Sequence, residues 1–269
     1  MKIAAIQMVS SPDVAPNLAR ARSLLEQAAA QGAQLAPLPE YFCLMGRDDT
    51  DKLAVAEAPG DLNPATAPIQ HMLADTARAL GLWIIGGTLP MKTATSGKVR
   101  NACCVYAPDG SQAARYDKIH LFRYDNGREQ YDEGRVLEAG SEPVALQAGP
   151  LRVALSVCYD LRFPELFRSL AAADLLSVPS AFTYTTGEKH WELLLRARAV
   201  ENQAYVIAPA QGGRHENGRR TWGHTMIIDP WGEVLACLPE GEGVVSAVID
   251  PARLAQVRQQ LPALRHRVL

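Results

Sequence analysis

The chain has 269 residues, 21% of them charged, and a formal net charge of −2 at pH 7. That length supports one large domain or two small ones with a core of their own, and the balance of charge argues against a basic nucleic-acid surface. Gly and Pro contents are ordinary, no run nears the roughly 18 apolar residues of a membrane span, and MKIAAIQMVSSPD turns polar too soon for a secretory signal. A soluble cytoplasmic protein is expected.

KIAAIQMV (2–9) reads as a strand, NLARARSLLEQAAAQG (17–32) as a helix closed by Gly, and AQLAPLPE (33–40) as a short strand ending in Pro, Pro and Glu. A second helix is expected over 64–80. Residues 82–89 read as a strand, and 101–118 as two strands about a PDG turn. Residues 119–142 are polar and read as a long loop, a common place for function. The order then repeats: strand 151–158, helix 163–173, strand 174–180, helix 188–203, strand 204–210 and a hairpin at 224–238 around DPWG. A strand at 243–250 and a helix at 251–261 finish the chain. Each half runs strand, helix, strand, helix, strand, hairpin. The pattern predicts an α/β protein, a four-layer α-β-β-α sandwich of two mixed β-sheets in one domain over 1–269, with a single doubly wound sheet as the alternative. The Gly pairs at 86–87 and 212–213 fit turns or strand ends rather than a phosphate loop.

Five cysteines, at 43, 103, 104, 158 and 237, form no CxxC and are an odd number, so free thiols are expected rather than a disulfide framework. The six histidines show no HExxH, and no metal site or cofactor is expected.

Three expected strand ends carry reactive groups: Glu40, Lys118 and Cys158. Singly, each has a simpler reading, as a solvated carboxylate, a surface ammonium and a small buried thiol. Together they make chemical sense. A thiol with an ordinary pKa of about 8.5 needs a base, which a carboxylate supplies. An ammonium, with the backbone N–H after the cysteine, can hold the oxyanion formed on attack at a carbonyl or nitrile carbon. A papain-like pairing of Cys158 with His120 or His190 is the rival arrangement. In the bland reading His120 anchors its loop and His190 with Trp191 packs against the pocket wall. Arg162 most simply pairs with Asp160 or Glu165, its other place being the pocket mouth. Glu192 and Arg196 fit an i, i+4 surface pair.

LPEYF (38–42), YDKIHLF (116–122) and VCYDLRFPEL (157–166) resemble, in order and separation, the three signature blocks of the nitrilase superfamily of carbon–nitrogen hydrolases. The resemblance implies the α-β-β-α fold and a Glu-Lys-Cys triad at Glu40, Lys118 and Cys158. It also implies a second glutamate between the Lys and Cys blocks, best matched by Glu133, with Glu129 and Glu138 as competitors. Two positions depart from the pattern: Asp117 stands where Arg is common, and Ala36 where a larger aliphatic residue is usual.

The implied reaction is amide hydrolysis through a Cys158 thioester, Glu40 acting as base and Lys118 as oxyanion partner, without a cofactor. AQGGRHENGRRTWGHTMIIDPWG (210–232) and the tail LAQVRQQLPALRHR (254–267) resemble the Nit subgroup. That implies an amidase for deaminated glutathione, with omega-amidase action on alpha-ketoglutaramate next, and a simple nitrilase or a non-catalytic binding relative as further alternatives. An anionic substrate needs a positive group, for which Arg214 and His215 are candidates; Tyr159 and Thr183 are expected to line the pocket, and the loops at 128–140, 181–187 and 211–221 to set specificity. The resemblance further implies a homodimer, to which Leu254, Val257 and Leu261 of the last helix could contribute if they do not join the core.

Overall fold

The computed structural model describes residues 1–170 and 172–268. β1 (Lys2–Gln7) leads to α1 (Val14–Ala30), β2 (Leu35–Pro37), a short α2 (Asp51–Ala54), α3 (Pro68–Leu80) and β3 (Trp83–Ile85). Next come β4 (Leu89–Lys92), β5 (Val99–Tyr106), β6 (Gln112–Asp117) and a ribbon, β7 (Arg123–Asp125) with β8 (Gln130–Asp132). The second half runs β9 (Ala145–Ala148), β10 (Leu151–Leu155), α4 (Pro164–Ser169), β11 (Leu175–Ser177), α5 (Tyr184–Asn202) and β12 (Tyr205–Ala208). It closes with β13 (Thr225–Ile228), β14 (Val234–Leu238), β15 (Gly243–Val248) and α6 (Pro251–Gln260).

Among the described residues the strands form a seven-stranded sheet, a six-stranded sheet and the β7–β8 ribbon. The larger sheet runs β15-β1-β2-β3-β5-β4, with β6 on the other edge of β5; β1, β2 and β3 are parallel. The smaller runs β14-β13-β12-β11-β10-β9, with β10, β11 and β12 parallel. Side chains that alternate along a strand sort the layers. Ile3 and Ala5 of β1 join a core shared with the second sheet, whereas Ala4 and Ile6 pack in a second core with Leu24 and Leu25 of α1 and Met72 and Leu73 of α3. Cys103 and Cys104 divide in the same way. Trp191, Leu195 and Ala199 of α5 pack on the six-stranded sheet from its outer side. The result is the expected sandwich of two mixed sheets between helices, and the single doubly wound sheet is excluded.

Two local features set the loop that carries Glu40. α3 starts with Pro68 and ends at Gly81 in a left-handed conformation with φ of 61°. Gly87 has φ of 52°, and a Cβ there would lie 2.1 Å from the Pro39 carbonyl oxygen, so the loop rests directly on glycine backbone.

Several boundaries differ from the sequence expectation. The strand expected over 82–89 breaks at Gly86–Gly87, and β4 turns back along β5. The segment 119–142 is not a plain loop, since it folds into the β7–β8 ribbon and a 3-10 turn at Glu133–Arg135. The helix expected over 163–173 is shorter, Pro164–Ser169, and residue 171 lies outside the described residues. β15 does not extend the second half: it pairs antiparallel with β1 along its whole length and completes the first sheet. Leu254 and Val257 are buried against the chain's own core, so they are not available to a partner, and Leu261 is half exposed. Large apolar side chains are exposed instead at Leu193 and Val200 of α5, Trp231 of the β13–β14 turn and Leu235 of β14.

Candidate active site

Glu40 lies three residues past β2 and Lys118 directly after β6, at strand ends of the larger sheet. Cys158 lies three residues past β10 of the smaller sheet, at the start of a 3-10 turn over Cys158–Arg162. The two sheets therefore bring together Glu40 and Cys158, more than a hundred positions apart in the sequence.

Lys118 Nζ is fully buried and donates to Glu40 Oε1 at 2.8 Å and to Glu133 Oε2 at 2.8 Å and Oε1 at 3.0 Å. Glu40 accepts further bonds from Asn101 Nδ2 at 2.9 Å and the Ala181 N–H at 3.0 Å, and it lies close enough to the Cys158 thiol for the two to shift each other's pKa. Glu133 accepts from the Tyr41 hydroxyl at 2.7 Å and the Phe122 N–H at 2.7 Å. Glu133 thus takes the position on Lys118. Glu129 instead accepts from Thr185 on the surface, and Glu138 pairs with Arg100 and Thr93.

The electrostatics separate the two carboxylates. Burial raises the pKa of Glu40, and the charge of Glu133 adds to this against the pull of Lys118. Burial also opposes charge on Glu133, but Lys118, the Phe122 N–H and the Tyr41 hydroxyl outweigh it, and its pKa is lowered. Burial disfavours the Lys118 ammonium, yet Glu133 and Glu40 more than offset it and raise its pKa well above the ordinary lysine value. Burial and Glu40 push the Cys158 thiol well up despite Lys118. Such a divergence marks the ion-pair carboxylate and the proton acceptor of a site. Glu133 neutralises Lys118, Glu40 is the more basic of the two carboxylates, and burial favours the thiol form of Cys158.

Cys158 has φ of 50°, a conformation that a non-glycine residue adopts only when its surroundings hold it there. Its N–H donates to the Pro179 carbonyl at 2.9 Å. The next N–H, of Tyr159, falls in the first turn of the 3-10 helix, where donors lack intrahelical acceptors. A narrow cleft of about 20 Å³ beside the thiol is lined by Phe122, Tyr159, Arg162, Phe182, Thr183 and Thr186. That enclosed space has room for about one water. A larger depression between α4, α6 and the tail, about 220 Å³, is lined by Phe167, Arg258 and Leu264 and lies away from this chemistry.

Tyr159 and Thr183 line the cleft as expected sites would, Thr183 also capping α5 through Thr186. Arg214 is exposed, and neither it nor His215 lines the cleft. Both ring nitrogens of His215 face protein, Nδ1 the Ser10 carbonyl at 2.9 Å and Nε2 Thr221 Oγ1 at 2.8 Å, and burial lowers its pKa. Its place is structural, because it has no free nitrogen or charge to offer. Among the described residues lining the cleft, the cation is Arg162. It pairs with neither Asp160 nor Glu165, and sits 5.4 Å from the Phe182 ring and 5.7 Å from the Tyr159 ring, with Nη1 3.2 Å from His190 Nδ1. The bland placement of Arg162 in an ion pair is thereby corrected, because Asp160 already spends its oxygens on other donors. His120 faces Asp160 through Nδ1 and stacks on Phe163, while His190 faces Arg162, so neither ring is the partner of Cys158. The charge of Asp117 is taken up by Arg115 at 2.8 Å and Arg100 at 3.6 Å rather than by Lys118. Among the described residues no group of three or more His, Cys, Asp or Glu side chains is placed to hold a metal ion, and no helix is long and apolar enough to cross a membrane.

Tyr41 and Asp160 were not expected to matter. Tyr41 adjoins Glu40 in the LPEYF block, which was the available signal; a buried Asp two residues past the nucleophile gave none.

The carbon–nitrogen hydrolase family model matches residues 2–259. A deaminated glutathione amidase of Synechocystis sp. is 44% identical over 271 residues, covering 98% of this chain and 97% of its own. Human omega-amidase NIT2 is 36% identical, covering 99% and 94%. The crystal structure of Saccharomyces cerevisiae Nit3, a member of branch 10 of the nitrilase superfamily, superposes with a TM-score of 0.89 at 29% identity, covering 100% of this chain and 97% of that one. The fold, the match along nearly the whole chain and these relatives place the protein in the carbon–nitrogen hydrolase family, among amide-hydrolysing enzymes.

Proposed function

We propose that the protein hydrolyses the amide of deaminated glutathione through a thioester on Cys158. The observation that carries the chemistry is the buried cluster of Glu40, Lys118 and Glu133 against Cys158. The substrate rests on likeness to the deaminated glutathione amidase and on Arg162, a cation in the cleft suited to an anionic substrate.

Glu40 takes the thiol proton as sulfur attacks the amide carbon. Lys118 and the Tyr159 N–H hold the oxyanion where charge develops. Ammonia leaves with the proton returned by Glu40, and a thioester remains. Glu40 then draws a proton from water, whose attack releases the acid and the thiol. Glu133 keeps Lys118 charged and in place, held in turn by Tyr41. No metal or organic cofactor is required by this sequence of steps.

The second reading is omega-amidase action on alpha-ketoglutaramate, favoured by the similarity to human omega-amidase NIT2 and by the same cation. Ammonia release from deaminated glutathione, alpha-ketoglutaramate and a simple nitrile, measured with the protein and with Cys158→Ala, tests both. Deaminated glutathione is expected to show the highest kcat/KM, with intact mass revealing an acyl adduct lost in Cys158→Ala. No amide turning over faster than in Cys158→Ala would overturn the amidase reading.

We also propose a single cytoplasmic domain over 1–269 that pairs as a homodimer and has no nucleic-acid or membrane partner. The exposed Leu193, Val200, Trp231 and Leu235 support pairing through α5 and the β13–β14 turn, which Arg196 already joins by donating to the Gly232 carbonyl at 2.8 Å.

A further inference from the structure

The Cys158 turn and the Lys118 segment belong to different sheets, and the strained backbone at Cys158 needs a partner that fixes it relative to the ammonium. Asp160 is fully buried and satisfies both needs. On the nucleophile side, its Oδ2 accepts from the Val157 N–H at 2.8 Å, while its own N–H donates to the Val157 carbonyl at 3.1 Å. The peptide before Cys158 is thereby held on both faces of the turn. On the lysine side, Oδ2 accepts from the Tyr116 hydroxyl at 2.7 Å, and Oδ1 accepts from the His120 N–H at 3.1 Å and faces His120 Nδ1 at 2.7 Å. Tyr116 and His120 stand two residues before and two after Lys118. Tyr116 is fully buried and His120 stacks on Phe163 with ring centroids 3.7 Å apart, so neither is free to follow a displaced carboxylate. The Tyr116 hydroxyl also accepts from the Ile119 N–H at 3.3 Å, drawing the peptide directly after Lys118 into the same network.

We infer that Asp160 is a positioning residue whose carboxylate locks the turn carrying Cys158 to the segment carrying Lys118, and so sets the separation of nucleophile and oxyanion partner. The inference rests on the amidase reading above. Asp160 touches neither substrate nor reacting atoms in this role. It works because a carboxylate offers acceptor positions only, and four donors from two sheets converge on it. An amide of the same shape presents an NH₂ group to one pair of those donors, which opens one side of the clamp. The cluster of Glu40, Lys118 and Glu133 is left with its own bonds intact, but Cys158 is no longer registered on it. Misplacement by about 1 Å is enough to cost on the order of 100-fold in rate.

The test is Asp160→Asn, with Tyr116→Phe and His120→Ala as variants that each remove one arm of the clamp. Turnover of the best amide substrate, far-UV circular dichroism, and alkylation of Cys158 by iodoacetamide, followed by intact mass against a Cys158→Ala blank, are measured for each. Asp160→Asn is expected to lower kcat about 100-fold with KM changed by less than about threefold, and to slow alkylation about tenfold. Tyr116→Phe and His120→Ala are each expected to give a smaller loss in kcat alone, and their combination to fall short of the product of the two, since both act through one carboxylate. A folded Asp160→Asn protein with wild-type kcat and alkylation rate, or one that changes only KM, overturns the inference. If Asp160→Asn does not fold, the two single-arm variants decide: wild-type kcat in both overturns it. An active wild type with unaltered variants removes the positioning role and leaves the amidase reading in place. A wild type that turns over no amide, yet whose alkylation slows in Asp160→Asn, removes the amidase reading and keeps the clamp.

Discussion

The two halves of the molecule share an order of elements and contribute different chemistry. The ends of β2 and β6, in the larger sheet, supply charge: Glu40 and Lys118, both sealed from solvent, with the partly buried Glu133 from the 3-10 turn past the ribbon, both carboxylates bonded to Lys118. The ends of β10 and β11, in the smaller sheet, supply a thiol at a strained turn and walls of Phe182, Thr183 and Arg162. One half holds the charged groups, and the other holds the thiol and the cleft wall. Glu40 and Cys158 meet only across the sandwich.

That contrast predicts that substitutions in the first half act on kcat and those on the wall act on KM. The largest effect is expected from Glu40→Gln, a loss of kcat on the order of 10³-fold for removal of a general base. The same variant should melt higher than wild type at pH 7. The folded-state pKa of Glu40 lies above its ordinary 4.5, so the folded protein binds that proton more tightly, and stability falls as pH rises through the folded value. Gln removes that cost, and melting curves at pH 4 and pH 7 should show the gain only at the higher pH. A lower melting point at pH 7 would break the assignment of Glu40 as the strained base.

Next in size, Glu133→Gln is expected to cut kcat by about 100-fold, within the range for a charged group that positions a catalytic one. It should also move the acid limb of the kcat/KM profile. In the wild type that limb lies above the ordinary carboxylate value, since activity needs ionised Glu40. Removing the negative charge of Glu133 lowers the pKa of Glu40, so the limb moves to lower pH. A limb that stays in place would mean that Glu40 is not the titrating base. The smallest effect should come from the wall: Arg162→Met is expected to raise KM for an anionic amide about tenfold, the worth of one charged contact, with kcat nearly unchanged. A neutral amide should not feel the change. A fall in kcat instead would erase the division between the halves.

Much of this site could be read in the sequence, and the unread part has a physical reason. Glu40, Lys118 and Cys158 stand in local blocks, each of which is short enough to recognise. Glu133 could be favoured over Glu129 and Glu138 only by position, because three carboxylates in one polar stretch differ in what they meet rather than in what precedes them. In the sequence His215 is a candidate cation because an anionic substrate needs a positive group; burial and two bonds from the fold decide otherwise. Asp160 reads there only as a possible ion-pair partner of Arg162, since its four donors come from residues 116, 120 and 157. The layers were legible from apolar alternation, but the partner of β15 was not, because pairing with β1 is a contact between the two ends of the chain.

That last pairing has a consequence for how the protein is made. The Met1 amino group reaches the Ile249 carbonyl at 3.1 Å, and β15 covers the open edge of β1 along its full length. During synthesis at roughly 5–20 residues per second, β1 leaves the ribosome first and waits tens of seconds for its neighbour. Until β15 emerges, that edge of β1 lacks its native partner, and an open strand edge is the kind of surface that recruits other strands.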